Sequence, residues 1–132
     1  MRSVRLPVTS KLDRSAFLRE AKALFPALRE DLNAQYGLLN LEMHAFCDFV
    51  QGLVDSHDER GVLQAFQFAE RIANTGNSDL ANALVVSFLE HLDLKDGRVA
   101  RSWAGAMMPT SLAQQYAGAV EYNSRPSGRG AT

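Results

Sequence analysis

The sequence predicts an all-α protein, a compact bundle of about six to seven antiparallel helices, with HEAT-like helical hairpins as a variant of the same class. Apolar residues recur at helical spacing along the whole body. Sustained alternation of apolar and polar residues is missing, and the Asp96-Gly97 pair is followed by RVARSWAGAMM, which does not alternate. Connections such as HDERG and TGNSDL are short enough to make successive helices antiparallel neighbours.

A first helix is predicted from about Ser15 to Phe25, capped by Asp13 or Ser15, with Phe17, Ala21, Leu24 and Phe25 on one side. Pro26 suits a first helical turn, and the next segment continues through Leu28, Leu32 and Tyr36 until Gly37 closes it. From about Leu39 to Ser56, the residues Leu39, Met43, Phe46, Val50 and Leu53 form a seam facing other helices. On the other side of that helix His44, Asp48, Gln51 and Asp55 fall in a polar stripe.

The helix from about Glu59 to Thr75 is expected to bury Val62, Phe66, Ala69 and Ala73, with Leu63 and Ile72 flanking. Gly76 is then expected to take a left-handed cap, and Ser78 to accept from the first free amides of the next helix. That helix, about Asp79 to Leu92, has a wide apolar arc, with Asp79, Asn82, Val86, Glu90 and Asp93 outward. A helix around Val99 to Met107 follows, and a last one from about Ser111 to Tyr122 carries Leu112, Tyr116 and Val120. One helical domain thus spans 15–122, between a basic segment at 1–14 and a tail at 123–132 too poor in apolar residues to dock.

The net charge of −1 hides an asymmetry. Between Ser15 and Tyr122 stand eight basic and fourteen acidic residues, a net charge of −6. Such a body repels nucleic acid and favours a basic partner, although excess acid is also an ordinary means to solubility. Cys47 is the sole cysteine, so no disulfide can close within the chain, and no segment approaches the roughly 20 apolar residues of a membrane span. A cytoplasmic location is the resulting expectation.

Candidate chemistry is sparse. Glu90 and His91 are adjacent, and adjacent helical residues point about 100° apart, so Glu90 cannot orient His91 as a triad acid does. Ser87 is expected to bond back to a carbonyl one turn earlier, and His91 to close the core near a helix end. His44 and Cys47 have ligand-compatible spacing but no second pair to complete a metal site. GxxxxGK, GxGxxG and GxSxG are absent, so an enzyme, a cofactor and a metal are not expected. Glu42, among apolar neighbours, reads as a structural acid paired to arginine or to a helix start, with a contact role as the alternative.

Two stretches, LLNLEMHAFCDFV and NALVVSFLEHLDL, resemble a family of small bacterial helical proteins. Its pattern is an LLHLEM-like helix start, an N-A-x-x-V-S-F-L-E-H-L helix and a proline before the final helix. The matching residues are Leu38, Leu39, Leu41, Glu42 and Met43, then Asn82, Ala83 and Val86 to Leu92, then Pro109 before Leu112. Asn40 departs from the pattern, where histidine is expected. Members look like immunity proteins beside polymorphic or contact-dependent toxins. The resemblance implies an inhibitor that binds a cognate toxin domain and blocks it without catalysis, and the acidic body fits a basic effector domain as that toxin.

The densest acidic surface in the sequence, Asp48, Gln51, Asp55, Asp58 and Glu59, is the first candidate contact, and Glu90 with Asp93 the second. The rival reading is a HEAT-like scaffold that binds a protein or peptide. TGNSDLANALVVSFLEHL has the turn-then-helix form of such repeats, but three equivalent units do not align.

Overall fold

A computed structural model describes residues 11–124 of the chain, so most of the basic segment and all of the expected tail beyond Ser124 lie outside the described residues, while Asn123 and Ser124, expected in the tail, continue the last helix. The described chain is all-α, with seven α-helices: α1 (Arg14–Leu24), α2 (Arg29–Ala34), α3 (Leu39–Asp55), α4 (Glu59–Thr75), α5 (Ser78–Leu84), α6 (Ser102–Gly105) and α7 (Thr110–Ser124). A 3-10 turn at Pro26–Leu28 leads into α2, and a π-helical turn at Val85–Leu89 extends α5. No helix among the described residues is long and apolar enough to cross a membrane.

Asp13 begins α1 as expected, its carboxylate accepting the Ala16 N–H at 2.9 Å. α3 and α4 sit at the centre. α3 packs on α2, α4, α5 and the π turn, while α4 also meets α5 and α7. Phe46 of α3 is fully buried and forms the hub of an aromatic cluster, stacked on Phe88 at 5.1 Å and edge-on to Phe17 and Phe68 at 6.0 and 5.7 Å. Such ring pairs add about 0.5–1.5 kcal/mol each beyond the apolar area they bury.

Several expected inward positions differ. In α4 Phe68 is buried and Leu63 exposed, because the covered arc of Val62, Ala65, Phe66, Phe68, Ala69 and Ile72 extends to the Phe68 side of the helix and leaves Leu63 beyond its other edge. Tyr36 and Val120 are exposed as well; Leu28 and Leu32 fill the space under α2, and Ala119 faces inward from α7.

Gly76 is extended, at φ −68° and ψ 148°, rather than left-handed. Leu12 runs beside it, donating its N–H to the Thr75 carbonyl at 2.7 Å and accepting the Asn77 N–H at 2.8 Å. Leu12 to Arg14 therefore belong to the domain. A Cβ at Gly76 would stand 2.6 Å from the Ile72 carbonyl oxygen, so glycine is needed for space. Asn77, rather than Ser78, caps α5, accepting the Leu80 N–H at 2.9 Å. The helix expected around Val99–Met107 is a single turn, since the Asp96 carboxylate takes the N–H groups of Arg101 and Ser102 and fixes its start at Ser102. α7 is started from another helix: Glu70 of α4 accepts the Ser111 and Leu112 N–H groups at 3.3 and 2.7 Å.

Candidate partner-binding surface

The two stretches that carry the family pattern pack on each other. Along α3, Asn40, His44, Cys47 and Gln51 share one side, and each meets the segment from Ser87 to Asp93. The Ser87 hydroxyl donates to Asn40 Oδ1 at 3.2 Å instead of to its own helix. The Cys47 thiol lies 3.5 Å from the Phe88 carbonyl, and the His44 and His91 rings stand edge to face at 5.1 Å. Gln51 clamps the end of the segment, giving its amide proton to the Asp93 carbonyl and accepting the Asp93 N–H, both at 2.9 Å.

The π turn explains the register. Glu90 donates its N–H to the Val85 carbonyl at 3.0 Å, a bond five residues long. That extra residue carries His91 to the outside, where it is exposed, and draws Glu90 partly in. His91 therefore does not close the core; Leu92 does.

The candidate contact residues separate into two groups. Asp55 and Asp93, expected on different patches, are joined by Arg101: its Nε donates to Asp55 Oδ1 and its Nη1 to Asp93 Oδ2, each at 2.7 Å. Those bonds hold the Asp55 carboxyl below the usual carboxylate range. Asp96 is lowered too, by the backbone N–H groups of Ser102 and Arg101. Asp58 caps α4, taking the Gly61 N–H at 2.9 Å. Glu59 meets His57 at 3.0 Å, and His57, left-handed at φ 58°, stacks on Trp103 at 4.1 Å. Gln51, half-buried, is spent on its clamp.

Asp48 and Glu90 border open grooves instead. Asp48, its side chain 71% exposed, lies 3.5 Å from His44 Nδ1 and lines a groove of about 280 Å³ with Asp31, Gln35, Leu41 and His44. Glu90 and Asp93 line a second, of about 390 Å³, with His91, Tyr116 and Val120. The His44–His91 contact lies between the two grooves. Arg101 is the participant that sequence reading missed; its partners are 46 and 8 positions away, and no local spacing signals them.

Glu42 is fully buried. Arg14 reaches it by two bonds, of 2.8 and 2.7 Å, and the Gly37 N–H donates to it at 2.9 Å. It thus pairs with an arginine and braces the start of α3. Burial pushes the Cys47 thiol up to about 12, with the Asp48 charge adding to the effect. Among the described residues, no group of three or more His, Cys, Asp and Glu side chains is placed to hold a metal ion.

No curated protein and no solved structure matches the chain. A family model matches residues 18–123 and thereby takes in both pattern-bearing stretches and Pro109. The chain belongs to the family described as a domain of unknown function, DUF7674.

Proposed function

We propose that the chain is an immunity protein that binds one cognate bacterial toxin and neutralises it by direct contact, in the cytoplasm and without catalysis. The observation that carries this reading is the acidic surplus, a net −6 between Ser15 and Tyr122. Arg71 and Arg101 from that stretch, and Arg14 just before it, are held in carboxylate pairs, while Asp48 stays exposed. Effectors that attack nucleic acid are commonly basic, and opposite charge raises both encounter rate and selectivity. The resemblance of LLNLEM and NALVVSFLEHL to immunity-type proteins supports the same reading.

The test is a pull-down with the full chain as bait from its source cell, eluted stepwise with salt. A stoichiometric, basic partner released by moderate salt supports the proposal. A mixture of unrelated partners, insensitive to salt, overturns it in favour of a scaffold.

A further inference from the structure

The α2–α3 corner concentrates exposed apolar surface: Tyr36, Leu38 and Leu41 are 68%, 58% and 47% exposed within six positions. Large exposed apolar side chains concentrated in one short stretch are what a contact surface supplies. Beside them lies the groove of about 280 Å³ that Leu41 shares with Asp31, His44 and Asp48, and no lysine or arginine is among its described lining residues. The corner is also braced from below. Glu42 ties it to α1 through Arg14 and holds the Gly37 amide at the left-handed φ of 96°, while the Arg14 guanidinium lies 4.8 Å over the Tyr36 ring. A surface held in one conformation loses little entropy on binding.

We propose that this corner is where a partner docks, through a lysine- or arginine-bearing segment that seats an apolar side chain against Leu38 and Leu41 and its charge between Asp31 and Asp48. Two observations combine here: three large apolar groups facing solvent, and a groove whose charged lining is acidic. The Arg14 charge beside Tyr36 does not oppose this, because it is matched by Glu42. The assignment rests on the reading of the chain as a binder of a basic protein.

The test places a photoreactive benzoylphenylalanine at Leu41 of the full chain and, in a second protein, at Leu63, which is 40% exposed on α4. Both proteins are irradiated in source-cell lysate, and the crosslinked peptides are sequenced. The expected result is a crosslink from position 41, and not from 63, to a partner peptide that contains lysine or arginine beside apolar residues. Asp48→Lys is expected to reduce its yield about tenfold, the loss of an attraction together with a gained repulsion. Leu41→Ser, at a solvent-facing position, is expected to weaken capture by a similar factor with helical content unchanged.

Crosslinking of the basic partner from position 63 alone, or capture of that partner with no crosslink from either position, overturns the corner and leaves the inhibitor reading standing. A crosslink from position 41 to a second copy of this chain, or to its own residues 1–10, likewise overturns the corner. Recovery of no basic protein by any route overturns both.

Discussion

The Arg14 guanidinium and the Glu42 carboxylate form a two-point pair across 28 positions of sequence, and only the arginine reaches solvent. Removing either partner therefore has unequal cost. Arg14→Ala strands a buried carboxylate, and about 3 kcal/mol of stability is expected to be lost. Glu42→Gln leaves an arginine that water can reach and an amide oxygen still able to accept from Gly37, and about 1–2 kcal/mol is expected to go. Urea unfolding of the two variants checks the order, and a larger loss for Glu42→Gln contradicts it.

Two glycines are expected to respond oppositely to alanine. Gly52 lies inside α3 with open space where a Cβ would go, so Gly52→Ala should stabilise by about 0.5–1 kcal/mol. Gly76→Ala drives a methyl group to within 2.6 Å of the Ile72 carbonyl oxygen, and should destabilise by about 1–3 kcal/mol. Melting temperatures suffice to read the signs.

Acid should weaken the fold through Asp55 and Asp96. Both carboxyls titrate lower in the folded protein than their ordinary value near 4, so below that pH the unfolded chain binds more protons. Their contribution is complete above about pH 5 and is lost as pH falls through the folded values. Arg101→Gln removes the main cause at Asp55. The variant should melt below wild type at pH 7, with the gap narrowing as pH falls below about 5. A gap that widens with acid contradicts the assignment.

Cys47 should be inert while the protein is folded. Its thiol is buried and titrates at about 12, so the reactive thiolate is about one part in ten thousand at pH 8. Iodoacetamide labelling at that pH is expected to be at least about a hundredfold slower than in urea. Equal rates would mean that the α3 contact with Phe88 opens freely.

Much of the helical framework was legible because one buried face repeats the helical period. α4 begins and ends where its pattern does, at Glu59 and Thr75, and α3 ends one residue earlier than expected. The π turn was not legible: a five-residue bond leaves the order of apolar residues unchanged and shows only in which of Glu90 and His91 turns outward. Long-range polar pairing was hidden for a different reason. Asp55 and Asp93 read as exposed contacts because their shared partner, Arg101, returns only after the loop from Leu94 to Ala100. Asp55→Lys would set a cation against Arg101 and disturb the fold, so Asp48 is the better position for testing charge. The corner residues Leu38 and Leu41 belong to the LLNLEM stretch, but their exposure follows from how α2 turns into α3.

The most direct measurement is growth of cells that express the salt-eluted basic partner, with and without this chain. Growth restored by the chain, and lost again with Asp48→Lys at equal expression, is the result expected of an inhibitor that acts by contact. Undiminished toxicity beside a stoichiometric amount of folded chain would contradict it.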